Sequence, residues 1–449
     1  MAIFVIRLLH LLVLSPDVAG RRLARLTMEG LDKASHVRYW QRCHGNFLPA
    51  AYTANDSSRL TFAFFIVSAL DLLSSGLAAE DRSSVRTWVL SLQHPDGGFC
   101  GGPSHALAAE DAPRGSANLA ATFFALLLLA MAAEGEDEAR AAFAGVERGK
   151  LLRWLARLQR DDGSFGQVLW AGEPLGGRDT RHSYLASCIR WMLRGDAGPH
   201  DVDVDAMVDH IRRGQTYDGG LAEASEHESH AGYAYCAVAA LHMLDRPSSG
   251  SRHRSHLGPQ SDAMGRGVSD RRRLVHFLVH RQFEYLAPQE EHDDDGGGEN
   301  YIESALGRLD MTQGRHYVGY NGRWNKKADT CYCWWVAATL AMLGSLSLVS
   351  IPSSRRYILD ITQNRIGGFS KSVGGPPDIY HSYLGLAALA LMGDSELKEF
   401  DVGLCCSKET TRKVELARDG LMASSREGRD VVNGDDGFWE TMRATSQAS

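Results

Sequence analysis

The chain has 449 residues, with 48 Lys and Arg against 55 Asp and Glu, a net charge of -7, 44% hydrophobic and 23% charged residues. Such a composition supports a substantial globular core and excludes wholesale disorder, while the acidic balance excludes a general nucleic-acid binder, which carries a basic surplus. Eight cysteines in this length are too sparse for a disulfide scaffold, and most sit in apolar runs as the reduced thiols of a cytoplasmic protein do.

Taken from the amino terminus, residues 3–14 (IFVIRLLHLLVL) form an apolar run broken by Arg7 and His10. It is shorter than the stretch of about 20 residues that spans a bilayer, so no stable membrane insertion is expected. SPDVAG after it is a poor cleavage site for a secretory signal. Residues 1–27 read as a dispensable N-terminal extension, or as sequence upstream of a true start at Met28. From Met28 the chain turns amphipathic and charged (MEGLDKASHVRYWQRC), like the first helix of the domain.

A repeat then runs along residues 28–400. Its landmark is a helix ending in Gln, a short gap and a glycine turn closed by an apolar residue. Copies are WVLSLQHPDGGF at 88–99, LLRWLARLQRDDGSF at 151–165, HIRRGQTYDGGL at 210–221 and YILDITQNRIGGF at 357–369. A degenerate copy covers LVHFLVHRQ at 274–282, with its glycine turn displaced to GYNGR. A unit of roughly 60 residues is long enough for a helical hairpin and signals repeat architecture.

Between the landmarks lie proline-free stretches rich in Ala and Leu, at 116–132, 183–193, 230–244, 329–345 and 379–392. They read as helices buried on more than one side, alternating with half-exposed ones. Two concentric layers follow, and a closed ring of helical hairpins around a central cavity, an all-α α/α toroid, satisfies both patterns. The Ser/Gly/Arg-rich segment near 246–272 and the acidic, glycine-rich segment near 286–314 read as surface insertions. HDDDGGG in the second is a solvated charge run, and residues 401–449 read as a mostly polar tail.

Polar and titratable residues recur where the buried helices begin: Arg181, His230, the cluster Arg323, Lys326, Asp329 and Cys331, and His381. In a toroid those helix starts share one mouth, where free N–H groups and cations favour a diphosphate or carboxylate. Asp329, Cys331 and a distant His381 would make three zinc ligands with a position left open. By spacing alone, an Asp-x-Cys pair is more often a helix cap and a buried thiol. Cys188, Cys236 and Cys333 read as packing residues. No nucleotide-binding loop or nucleophile elbow is present.

HVRYWQRC with SRLTFAFFIVSALDLL, the glycine-turn repeats, DTRHSYLASCI, ESHAGYAYC, GRWNKKADTCYCWW and GGFSKSVGGPPDIYHSYLGL together resemble the β subunits of the protein prenyltransferases. The likeness is greatest to the type I geranylgeranyl class and covers roughly residues 30–400 outside the insertions. It implies one zinc ion on Asp329, Cys331 and His381, and an isoprenoid diphosphate held by His230, Arg323, Lys326 and Tyr332. It places Arg181 and Tyr184 on the cavity wall, and Tyr233, Cys236 and Trp335 along the lipid. Thr61, with Phe65 one turn on, stands where farnesyltransferases close the lipid pocket with Trp. Lys371 stands where they carry a magnesium-associated Asp, implying that magnesium is not required. Asn118, Phe123 and Cys333-Trp334 depart from the family pattern.

The implied activity is transfer of geranylgeranyl from its diphosphate to the cysteine of C-terminal Cys-aliphatic-aliphatic-X motifs (CaaX, X mostly Leu) of Rho-type small GTPases. The implied partner is an α subunit shared with farnesyltransferase, in an obligate heterodimer. The alternatives are a farnesyltransferase β subunit, a toroid-fold terpene cyclase needing a protonating acid and no zinc, and a non-catalytic docking ring.

Overall fold

The computed structural model describes residues 30–107, 110–111, 115–247, 262–285 and 316–424. The proposed extension 1–27 and the second insertion's 286–314 lie outside these residues. The principal helices are α1 (Lys33–Gly45), α2 (Arg59–Leu72), α3 (Ala79–Ser91), α4 (Leu119–Met131), α5 (Arg148–Arg157) and α6 (Thr180–Met192). They continue with α7 (Val204–Arg213), α8 (Ala231–Asp245), α9 (Arg271–Val279), α10 (Thr330–Met342), α11 (Ile351–Arg356) and α12 (Ile379–Leu391).

The Ala/Leu-rich helices form the inner layer, each packing on the next in the order α2, α4, α6, α8, α10, α12, and α12 returns to α2. The ring is therefore closed. Outer helices such as α5 and α7 bury one face only, Leu151, Leu152, Trp154 and Leu155 in the first and Met207, Val208, His210 and Ile211 in the second. Almost all of α4 is buried, as expected of a helix lacking a polar face.

The repeating glutamines turn out to be the fasteners of this ring. Gln93 Oε1 accepts from Glu147 N at 3.0 Å, Gln159 Oε1 from Asp203 N at 2.7 Å and Gln215 Oε1 from Asp270 N at 2.9 Å. In each case the partner is the residue that opens the next repeat's outer helix. Gln363 Oε1 accepts from Asp32 N at 3.1 Å, so the last repeat fastens the first. Gln282 of the degenerate copy does the same to Ser350 N at 3.0 Å. Its closing apolar residue is Tyr320, paired with it across the strands Gln282–Glu284 and Val318–Tyr320, and the second insertion lies inside this glycine turn. The turns also need glycine: a Cβ on Gly163 (φ +84°) or Gly367 (φ +85°) would strike the backbone oxygen of Ala206 or Ser35.

Three antiparallel ladders of two or three residues per strand complete the described structure. They are too short to produce strand alternation in the sequence. The polar tail is less separate than the sequence suggests, because the chain stays packed on the ring beyond 400. Tyr235 and Tyr383 donate to the carbonyls of Val402 (2.9 Å) and Cys405 (2.5 Å), Arg246 pairs with Asp401, and a helix over 408–424 follows. Lys398 N bonds Leu72 O at the carboxyl end of α2, so this segment covers the far end of the ring. Of the first insertion, 248–261 lie outside the described residues, while Ala263 and Met264 donate to Asp245 at the end of α8. Among the described residues no helix is long and apolar enough to cross a membrane.

Candidate active site and metal centre

Inner helices begin with side chains that fold back on their own first turn. Asn118, Asp179, His230, Asp329 and Asp378 each accept a backbone N–H of the helix they precede, satisfying donors that have no partner within the helix. Neighbouring starts are tied together: Thr180 Oγ1 bonds Tyr233 O, Ala231 N bonds Gly322 O and Thr330 N bonds Lys371 O. These caps thus form a polar collar at one mouth of the ring.

On that collar Asp329, Cys331 and His381 converge, with one ligand atom from each lying within 4.8 Å of the others. Asp329 Oδ1 accepts from Cys331 N at 3.0 Å and lies 3.3 Å from His381 Nε2. His381 Nδ1 is 2.6 Å from Asp378 Oδ2, which fixes the ring and leaves Nε2 facing the cluster. Burial alone would lower the His381 pKa, but the carboxylates of Asp329 and Asp378 push it up to about 9. Burial and Asp329 drive the Cys331 thiol well above its usual range. Burial likewise opposes ionisation of Asp329, yet bonding to His381 and Cys331 holds its carboxyl low.

A carboxylate, an imidazole and a thiol in one half-buried pocket are a donor set zinc favours, the imidazole binding as its neutral form and the thiol as its thiolate. The residues fit zinc. Lys371 Nζ lies 3.7 Å from Asp329 Oδ2, with its side chain largely exposed at the mouth.

One helix over, His230 Nδ1 accepts from Gly232 N at 3.1 Å, so its proton is on Nε2, 3.0 Å from Tyr332 Oη. Burial and the Arg323 charge lower the His230 pKa and keep the ring neutral. It therefore donates to the Tyr332 oxygen and leaves the phenolic hydrogen free for a third group. Gly322 allows this arrangement, since a Cβ there would strike the Tyr332 ring. Arg323 pairs with Glu228 at 2.6 Å, and Lys326 is exposed beside it on the same loop. Arg181 chelates Asp179 through Nε and Nη2 and lies over the Tyr233 ring at 5.6 Å.

Below the collar the wall is aromatic. Phe65 meets Phe124, Tyr380 and Tyr383; Phe123 meets Tyr184; Tyr184 meets Tyr235; and Tyr235 meets Trp335 at 4.9 Å. Thr61 and Phe65 share a face of α2 and are both half-buried. Tyr184 and Cys236 are nearly buried, and burial pushes the Cys236 thiol up to about 12. Tyr380, which no motif in the sequence singles out, is 37% exposed at the start of α12 and lies beside Cys331 and Trp335. Asp378 escaped notice as well, although an Asp just before an apolar helix is a legible cap signal. Of the departures from the family pattern, Asn118 is the cap of α4, while Phe123, Cys333 and Trp334 are packed in the wall.

A family model for the prenyltransferase alpha-alpha toroid domain matches residues 31–406. The chain belongs to this family. Among curated relatives of this toroid protein, the geranylgeranyl transferase type-1 subunit beta of Arabidopsis thaliana is 29% identical over 382 residues, covering 82% of this chain and 86% of the relative. The subunit of the same name from Dictyostelium discoideum is 25% identical, covering 85% and 97%. The protein farnesyltransferase subunit beta of Schizosaccharomyces pombe is 28% identical, covering 76% and 74%. A solved Candida albicans protein geranylgeranyltransferase-I, complexed with GGPP, superposes with a TM-score of 0.69 at 23% identity, covering 87% of this chain and 100% of that one. That likeness bears on the fold.

Proposed function

We propose that this toroid is the catalytic β subunit of a heterodimeric, zinc-dependent protein geranylgeranyltransferase of type I. Its substrates would be geranylgeranyl diphosphate and proteins ending in CaaX, X mostly Leu, of the Rho-type small GTPase class. The observation that carries the reading is the Asp329, Cys331 and His381 cluster set beside the His230, Tyr332, Arg323 and Lys326 mouth, above an aromatic wall. Asp329, Cys331 and His381 would hold one zinc ion, which when bound supplies a Lewis acid that lowers the pKa of a substrate thiol.

The chain's own residues bind and orient. Tyr332, oriented by His230, offers a phenolic hydrogen to a diphosphate oxygen, with Arg323 and Lys326 compensating its charge. Loss of one such contact is expected to raise the barrier by about 2–4 kcal/mol, as for an oxyanion donor. Lys371 neutralises charge building on the departing diphosphate, so magnesium is not required. Phe65, Tyr184, Tyr233, Cys236 and Trp335 enclose the polyene, whose burial is favourable by about 25 cal/mol per Å². Thr61 leaves room for a fourth isoprene unit. Arg181 and Tyr184 stand on the cavity wall.

Tyr217 is 91% exposed near this mouth, on a surface suited to the α subunit of the heterodimer. A cytoplasmic location fits substrates of this class.

The test uses the full chain co-purified with its α subunit. Transfer of geranylgeranyl versus farnesyl to a peptide ending in Leu is followed with zinc present and magnesium absent. Geranylgeranyl transfer is expected. Preference for farnesyl, or an absolute need for magnesium, would move the protein to the farnesyl class, and transfer of neither lipid would refute the reading.

A further inference from the structure

Among the described residues, Arg281 alone has all three guanidinium nitrogens buried with no hydrogen-bond partner, and the residue is 0% exposed. A buried cation left in that state is costly unless something else compensates its charge. Here aromatic faces do so: the Phe277 ring is 4.9 Å from Arg281 Cζ and the Trp324 ring 4.0 Å, both within cation–π range. Asp218, whose carboxylate acts on the Arg281 charge as well, lies beside Trp324 and accepts from Ser229 Oγ at 2.6 Å and from Gly220 N at 3.1 Å. Ser229 immediately precedes His230.

Trp324 lies within the loop that carries Arg323 and Lys326. The loop turns sharply at Asn325, whose φ of 58° is left-handed, and Asn321 Nδ2 bonds Lys326 O at 2.9 Å. Its beginning is fixed by Asn321 N to Arg281 O and by Ala231 N to Gly322 O. Between Arg323, which pairs with Glu228, and the exposed Lys326, Trp324 is half-exposed and lays one face of its ring on Arg281.

We infer that Trp324 is a positioning residue for the anion-binding loop, clamped by its stacking on Arg281, just past the end of α9 and beside Asp218 of the third glycine turn. It touches no reacting group. By pinning the loop it holds the Arg323 and Lys326 charges over the mouth before any ligand arrives, so the loop is not ordered at the expense of affinity. Asp218 links the clamp to the His230 side of the same mouth. What the loop binds, a prenyl diphosphate, rests on the proposed function; the clamp itself does not.

Trp324→Ala, Trp324→Phe and Arg281→Met in the full chain with its α subunit test the clamp. Hydrogen exchange of residues 321–328 is read first, then binding of inorganic pyrophosphate and of geranylgeraniol, and last KM and kcat for the prenyl diphosphate. Trp324→Ala is expected to speed exchange in the loop and weaken pyrophosphate binding about tenfold, raising KM with kcat little changed. Geranylgeraniol affinity and zinc content stay at wild-type values. Trp324→Phe keeps a stacking face and recovers most of the loss.

Arg281→Met removes a costly charge at similar volume, so it lowers pyrophosphate affinity without lowering the melting temperature. Unchanged exchange and pyrophosphate binding in Trp324→Ala would overturn the clamp and leave the proposed function standing. So would equal losses of alcohol, zinc and pyrophosphate, which mean general disruption. A wild-type complex that binds no pyrophosphate would overturn the proposed function, and loop exchange would still decide the clamp.

Discussion

Lowering the pH should loosen the ring at the seam where its last repeat meets its first, and His36 is the group responsible. It lies on α1, fully buried, with its ring 4.6 Å from that of Phe369. Nδ1 accepts from Gly368 N at 3.1 Å, so the neutral ring carries its proton on Nε2, facing Gln363 Oε1 at 3.1 Å. A second proton would have to sit on Nδ1, pointing at a backbone N–H. Burial, only partly offset by Gln363 and Asp32, lowers the pKa from 6.5 to about 4.

Between those values the unfolded chain binds more protons than the folded one, so stability is full above pH 6.5 and is lost as pH falls through 4. Lowering the pKa from 6.5 to about 4 is worth about 3 kcal/mol in all, of which about 2 kcal/mol is gone by pH 5. The assay is urea unfolding of the wild type and of His36→Gln at pH 7.5 and pH 5. The wild type should lose about 2 kcal/mol more than the variant over that interval. Equal pH dependence in the two proteins would refute the assignment to His36.

Other expectations follow from the site and the turns. Cys331→Ser and His381→Ala should each leave the dialysed protein without stoichiometric zinc, read by elemental analysis, whereas Cys333→Ser should retain it; zinc retained by the first two would rule out the cluster as the metal centre. Lys371→Asp replaces the ammonium beside Asp329 with a carboxylate, so turnover should become magnesium-dependent, and unchanged metal dependence would remove Lys371 from the leaving-group role. Gly163→Ala should cost about 3 kcal/mol or more, because its Cβ would overlap Ala206 O at a left-handed φ. A shift under about 1 kcal/mol in chemical denaturation would mean that the glycine turns are not close-packed on the next repeat.

The layered fold was legible because the two kinds of helix differ in composition: α4 has no polar face, while α7 has one. The repeating Gln was visible too, but not its purpose, since its partner is a backbone group in the following repeat. That is a tertiary contact with no local trace. The same reason hid the 400–407 segment, whose attachment to Tyr235 and Tyr383 uses its carbonyls, which every sequence has. At the site, Asp329 and Cys331 were legible as a cap-and-thiol pair within one helix start. Tyr380 went unnoticed because its position beside Cys331 depends on how α10 and α12 lie side by side. Nothing in HRQFEYL marks Arg281 as buried or foretells that the Trp324 ring will lie over it.

Ring closure and site assembly are one physical problem in this protein. Asp329 and Cys331 come from α10, His381 from α12 and His230 from α8, and no two of these helices are joined by a short loop. Each pair meets because an intervening outer helix is fastened by a glutamine. Between α8 and α10 the fastener is Gln215, on Asp270, and between α10 and α12 it is Gln282, on Ser350. Between α12 and α2 it is Gln363, on Asp32. A cluster whose ligand atoms must lie within 4.8 Å tolerates little slippage between neighbouring hairpins. The closed ring supplies that constraint, since a displacement at one joint must be absorbed by all the others, whereas an open solenoid could relax it at a free end. Zinc bound across α10 and α12 would in turn add a fastener at the mouth, at the adjacent joint to the one where His36 and Gln363 hold the outer layer.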